Sequence, residues 1–182
     1  MGISVSSDIE SRLVDLYWKA KKEGRVGIGK YGRDSFAYVE IDSKEFPPGV
    51  PRQKIAFSLY IANDHERQTA RFEREYGDAT TYKRLVREHK FLIFVFRDQV
   101  PQEFREIGAA HEYVEGYTEN HANGQKAQFD EALMRGNDFF ERYVRWFARN
   151  CSKPKDENSR RILLEDIVPK EAIPILQEEG YI

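Results

Sequence analysis

This sequence predicts an α+β fold, with a small, largely antiparallel sheet packed against several helices. Three observations predict it. Apolar residues recur at helical spacing near the start and through most of the second half. Strand-like apolar runs fall between residues 25 and 97. Strands and helices are segregated along the chain rather than alternating, which argues against a parallel α/β sheet.

Ser7-Asp8-Ile9-Glu10 is a capping box, with an acid three residues after the serine. Ile9, Leu13, Leu16, Tyr17 and Ala20 then repeat at helical spacing, and Gly24 is a good stop, so the first element is an amphipathic helix. Residues 25–42 read as a hairpin. Val26, Ile28 and Tyr31 lead into the turn-forming Gly32-Arg33-Asp34, and Phe36, Tyr38, Val39, Glu40 and Ile41 then alternate. Pro47-Pro48-Gly49 and Pro51 mark a loop, and 54–62 is a third strand. Asn63-Asp64 caps an expected helix running to Tyr76, and a shorter helix is expected over 81–88. Residues 90–97 contain a continuous apolar run from Phe91 to Phe96 with charges on both sides, which reads as a buried central strand.

Pro101 suits the first turn of the next helix, and Glu103 complements its positive end. Phe104, Ile107, Gly108, His111, Val114 and Glu115 fall on one side of it, and Gly116 or Thr118 should end it. A longer helical segment is expected from about 120 to 150, with Gly124 and Gly136 as weak points and an apolar stripe through Phe129, Leu133, Phe140, Tyr143, Val144 and Phe147. Residues 152–159 form a polar linker to a short C-terminal helical segment, near 162–168 and 170–179. The whole chain, 1–182, fits one domain.

Composition narrows the function classes. Hydrophobic residues make up 40% of the chain, enough for a sizeable core. Charges nearly cancel to a net −2, so there is no global attraction to nucleic acid or to an anionic membrane. Cys151 is the one cysteine, which excludes an internal disulfide and a thiolate zinc cage. No apolar stretch is long enough to span a bilayer, and residues 1–10 lack the pattern of a secretory signal. The expectation is a soluble cytoplasmic protein.

The most informative stretch is His111-Glu112-Tyr113-Val114-Glu115, followed by His121. A helix places His111 and Glu115 one turn apart on one face, with Glu112 beside them. That face is apolar up to the histidine, so it is expected to point inward, where imidazole and carboxylate need partners or a metal. Zinc accepts a two-histidine, one-glutamate set with an open fourth position, and other divalent metals suit the same mixture. His111, Glu115 and His121 could supply that set, and Glu112 would lie beside the open position as a general base should. The same residues could instead be a hydrogen-bonded His111–Glu115 pair with His121 capping the next helix. Both readings stay open at this point.

The stretch resembles the signature helix of zincin metallopeptidases, in particular the metzincin branch. That family has two metal-binding histidines one turn apart, a glutamate directly after the first, and a third ligand six residues after the second. His111, Glu115 and His121 reproduce the spacing, and Glu112 falls at the base position. The resemblance implies zinc-dependent hydrolysis, with a peptide or protein substrate. It covers residues 111–121 alone, and it departs from the family in placing Glu115 where the family has histidine and Thr118 where metzincins have glycine.

Other patterns carry less. Glu131 on the following helix is a further ligand candidate, and Glu119 lies near His121. Gly27-Ile28-Gly29-Lys30-Tyr31-Gly32 matches the glycine fingerprint of nucleotide-binding loops, but the segment after it reads as strand, so glycines for a closely packed hairpin are the plainer account. His65 has Thr69 rather than a ligand four residues on, and His89 sits beside Lys90 at an expected helix end. Arg142, Arg145 and Arg149 form a stripe that Lys153, Lys155, Arg160 and Arg161 extend, interrupted by Glu141, Asp156 and Glu157. The alternative to a hydrolase is therefore a non-enzymatic interaction protein that contacts nucleic acid through this basic helix, although the interrupting acids make nucleic acid an unfavoured partner.

Overall fold

The computed structural model describes residues 7–47, 56–60 and 91–182. The helices expected at 63–76 and 81–88, with His65 and His89, lie outside these residues. The described residues form an α+β fold with a four-stranded mixed sheet and six α-helices. Helix α1 spans Ser7–Lys22 and ends before Gly24, whose φ of +72° is the left-handed stop that a glycine supplies without strain. Strands β1 (Val26–Tyr31) and β2 (Asp34–Ile41) form the expected hairpin, with Gly32 at φ +59° in its turn. Strand β3 is Ala56–Tyr60 and β4 is Phe91–Phe96.

The strand order is β1-β2-β4-β3. Strands β1 and β2 pair antiparallel, as do β3 and β4, while β2 and β4 run parallel with Val39 opposite Phe94. The two inner strands, β2 and β4, are apolar on both faces, and strand geometry sends successive side chains to opposite sides. Val39, Ile41, Leu92, Phe94 and Phe96 meet Leu13, Val14, Tyr17 and Ala20 of α1 in one core. Phe36, Tyr38, Ile93 and Val95 face the other way, into a larger core built with the C-terminal helices. The continuous apolar run of β4 is thus the residue pattern of a strand covered on both faces.

The C-terminal half supplies α2 (Arg105–Thr118), α3 (His121–Met134), α4 (Asn137–Asn150), α5 (Glu157–Ile162) and α6 (Ala172–Glu178). Pro101 opens a 3₁₀ turn, Gln102–Phe104, that leads into α2. A π-helical turn, Leu163–Ile167, follows α5. The long segment expected over 120–150 is two helices, broken at Gly136 with φ +100°. Gly116 does not end α2. The helix runs on to Thr118, and the left-handed position is Glu119, at φ +54°.

Helix α2 is the central element. Its residues from Ile107 to Glu115 are all buried, which is the environment of a helix enclosed by neighbours rather than lying on a surface. It packs mainly against α3 and touches β1, β3 and β4. Arg105 at its start pairs with Glu40 of β2, and Glu106 pairs with Arg135 at the end of α3. These bonds fix the helix at both sides, so that His111 stands at a defined height between sheet and helices.

Candidate metal centre

Helices α2 and α3 are joined by two residues, Glu119 and Asn120. Asn120 caps α3 by accepting a hydrogen bond from the Ala122 backbone N–H, so the chain reverses tightly and His121 becomes the first residue of α3. That turn brings His121 back over the face of α2 that carries His111 and Glu115. Glu115 Oε2 lies 3.1 Å from His111 Nε2 and 2.7 Å from His121 Nδ1. The two ring nitrogens are 3.3 Å apart. His111 and Glu115 are buried, and His121 stands at the rim with its side chain 58% exposed. The three residues expected to share a site are therefore brought together.

The donor set fits a divalent metal. Three atoms bound to zinc at about 2.0–2.1 Å in a tetrahedral arrangement are separated by roughly 3.3 Å. The observed separations of 3.1, 2.7 and 3.3 Å surround one such point. The same distances also suit hydrogen bonds from the two imidazoles to Glu115. A carboxylate oxygen can accept from both imidazoles, and an imidazole that gives up its proton turns its lone pair toward the same point, where a cation can take the proton's place.

Electrostatics reflect the crowding. Burial by itself would depress the pKa of His111, but the hydrogen bond to Glu115 and the charges of Glu112 and Glu115 outweigh it and raise the imidazole above its ordinary value. Burial would likewise raise Glu115, but hydrogen bonds from His111 and His121 hold its carboxyl far below the usual carboxylate range. These partners favour the anionic form of Glu115.

A cavity of about 300 Å³ opens beside the cluster. His111, Glu112 and His121 line one part of it, and Gln125, Gln128, Phe147, Cys151 and Tyr181 line others. Glu112 is buried and shares this cavity with two of the three candidate ligands, although its own carboxylate is not among the three converging groups. Its position beside the site is that of a group able to exchange a proton with something in the cavity.

Glu131 does not join the cluster. It lies toward the β1–β2 turn at Gly32, with Arg135 and Glu106 nearby. Glu119 is exposed at the helix junction and is likewise outside the converging group.

Two residues that shape the site carried only a weak sequence signal. Gln128 Oε1 lies 3.1 Å from His111 Nδ1, on the side of the ring away from Glu115. Gly124 lies against the His111 backbone. His121, Gly124 and Gln128 are spaced by three and four residues, which puts them on one face of α3. A small residue and an amide on a face shared with a candidate ligand was the signal available.

The arginine stripe is occupied within the chain. Arg145 pairs with Glu141, Glu178 and Glu179, Arg149 pairs with Glu179, and Arg142 pairs with Glu103. Lys153 donates to the Gly180 carbonyl. The stripe fastens α6 and the chain end against α4, and its charge is matched by carboxylates. The glycine-rich segment is strand β1 and its turn, with no helix following it.

Comparison with known proteins returns no matching family model, no matching curated relative and no matching solved structure. Among the described residues, no helix is long and apolar enough to cross a membrane.

Proposed function

We propose that this protein is a metal-dependent hydrolase of zincin-like chemistry, with zinc held by His111, Glu115 and His121. The observation that carries this is the convergence of His111 Nε2, Glu115 Oε2 and His121 Nδ1 on one point at the edge of a cavity. A divalent metal held by that set would supply Lewis acidity, acidifying water and polarising a carbonyl. With three protein ligands, a fourth position is left for a non-protein group, which is the pattern of catalytic rather than structural zinc.

The chain's own residues would do the rest. Glu112, buried beside His111, accepts the proton of the attacking water as the new carbon–oxygen bond forms. It then returns that proton to the leaving group as the scissile bond breaks, so the carboxylate is regenerated. The place of Glu112 in the wall of the cavity it shares with His111 and His121 supports this role. Phe147 and Tyr181 give the cavity apolar wall, which limits bulk water around the reacting groups. A peptide or other acyl compound is the substrate class this chemistry serves.

The test is elemental analysis of the purified, untagged protein together with His111→Ala and Glu112→Gln. The expected result is about one zinc per wild-type chain, none in His111→Ala, and full zinc but no hydrolysis in Glu112→Gln. Loss of zinc from Glu112→Gln would overturn the base assignment. Absence of zinc from the wild type after zinc is offered would overturn the metal site.

A further inference from the structure

We infer that Gln128 is a positioning residue for this site, one that keeps the proton of His111 on Nδ1 and so leaves Nε2 free to bind a cation. The inference rests on the metal-binding reading above and adds a residue and a mechanism to it.

Geometry carries it. His111 has two ring nitrogens with different neighbours: Nε2 faces Glu115 and His121, and Nδ1 faces Gln128 Oε1 at 3.1 Å. A neutral imidazole has one N–H and one lone pair, and the partner of one nitrogen decides which is which. A carbonyl oxygen can only accept, so Nδ1 must be the donor. When the ring is neutral, the lone pair then belongs to Nε2, the nitrogen that points at the cluster. The amide of Gln128 could turn round and donate to Nδ1, but the proton would then move to Nε2, where it would occupy the place of a metal.

A second observation is independent of the histidines. Gln128 is 2% exposed, and its Nε2 has no hydrogen-bond partner among the described residues. Unpaired amide N–H groups are rarer in protein interiors than under-satisfied carbonyl oxygens, because burying a donor without an acceptor is costly. The amide thus sits in its more costly orientation, and what that orientation provides is an oxygen for His111. Gln128 lies two turns along α3 from His121, so the helix that contributes one ligand also orients another. Metal-binding histidines commonly donate their second nitrogen in this way, and removal of the acceptor typically weakens metal affinity.

The test uses the full chain, with zinc as the probe. Zinc affinity is measured by competition with a chelator for the wild type, Gln128→Leu and Gln128→Glu. The His111 ring protons are followed by nitrogen-15 NMR. For the zinc-loaded wild type we expect metal on Nε2 and a slowly exchanging Nδ1 proton. Gln128→Leu, which removes the acceptor at similar size, should weaken zinc by about 10–100-fold and speed exchange of that proton. Gln128→Glu, which keeps an acceptor oxygen, should hold zinc at least as tightly as the wild type, a rescue that a mere packing role would not give. Wild-type affinity in Gln128→Leu, or a metal found on Nδ1, overturns the inference. If Gln128→Leu does not fold, the wild-type ring spectrum and Gln128→Glu still decide it. If the wild type binds no zinc, the metal reading falls, and the metal-free spectrum decides the role of Gln128 alone. At a pH where His111 is neutral, a proton on Nδ1 that moves to Nε2 in Gln128→Leu supports it, and an unprotonated Nδ1 accepting from the amide overturns it.

Discussion

Gly124 of α3 lies against His111 of α2 so closely that a Cβ added at Gly124 would come within 2.8 Å of the His111 carbonyl oxygen and 3.1 Å of the Glu115 Cβ. The nearest obstacle is a backbone oxygen, which cannot rotate away as a side-chain end can, and the Glu115 Cβ is fixed to its own backbone. Gly124 is therefore what allows α3 to lie close enough for His121 to reach Glu115. Gly124→Ala should push the helices apart, costing about 1–3 kcal/mol of stability, in the range of an overpacked core. It should also weaken zinc binding, since two of the three ligands are on α2 and the third is on α3. Urea denaturation and a zinc titration of the variant measure both effects. Unchanged stability with unchanged zinc affinity would show that the helix spacing is not set here.

A bound metal should stabilise the fold by linkage. A ligand that binds the native state alone at a free concentration a hundred times its Kd adds about 2.7 kcal/mol. For a chain of this size that corresponds to roughly 5–10 °C in Tm. Thermal unfolding with and without EDTA should show a drop of that order in the wild type and none in Glu115→Gln, which retains shape but loses the anionic ligand. An equal drop in both would place the EDTA effect somewhere other than this site.

The sheet and the C-terminal helices were legible in the sequence because their burial is one-sided or complete in a regular way. The run from Phe91 to Phe96 could only be a strand with both faces covered, and Phe140, Tyr143, Val144 and Phe147 could only be one stripe of a helix. The parallel pairing of β2 with β4 was not legible, since nothing local to either strand encodes the direction of its neighbour. His111 and Glu115 were legible as a pair because helical spacing alone brings them together. Placing His121 with them required the reversal at Glu119 and Asn120. The left-handed turn falls on Glu119, a residue type that gives no such signal, while Gly116, which does, stays within α2. Gln128 showed only as an amide on the His121 face of α3, because its partner lies on another helix and periodicity within one helix says nothing of what faces it.

The glycines of β1 serve packing. Gly27 lies opposite Tyr38 and Gly29 opposite Phe36 across the hairpin. A Cβ at Gly27 would fall 2.1 Å from the Tyr38 ring, and one at Gly29 would fall 2.4 Å from the Phe36 ring. Both rings are buried and lie across their glycines, and Phe36 also stacks on Tyr113 of α2 at 4.7 Å. Gly29→Ala should displace the Phe36 ring and cost about 1–3 kcal/mol. ATP should bind neither the wild type nor the variant. Calorimetric titration with ATP, alongside denaturation of both proteins, separates a packing role from a phosphate loop. Saturable ATP binding lost in Gly29→Ala would contradict the packing account.

Acid should release the chain end before it unfolds the core. Hydrogen bonds from Arg149 and then Arg145 hold the Glu179 carboxyl down at about 2, against an ordinary value of 4.5. A carboxyl whose folded pKa is depressed contributes stability above its unfolded pKa, and the contribution is lost as pH falls toward the folded value. The window for this contact is therefore pH 4.5 down to about 2. The Glu179 side chain is only 11% exposed, but its partner Arg149 stands in solvent at 65%, so salt should screen the interaction and its share of global stability should be small. Its local consequence is larger, because Tyr181 lies two residues on, packs on Phe147 at 5.4 Å and lines the cavity. Amide exchange at Tyr181, whose N–H donates to the Leu176 carbonyl, should quicken as pH falls through this window once the intrinsic pH dependence of exchange is removed. Glu179→Gln should reproduce the quickening at neutral pH. If protection of Tyr181 stays level to pH 2 and is unaffected by Glu179→Gln, the arginine pair does not hold α6 in place.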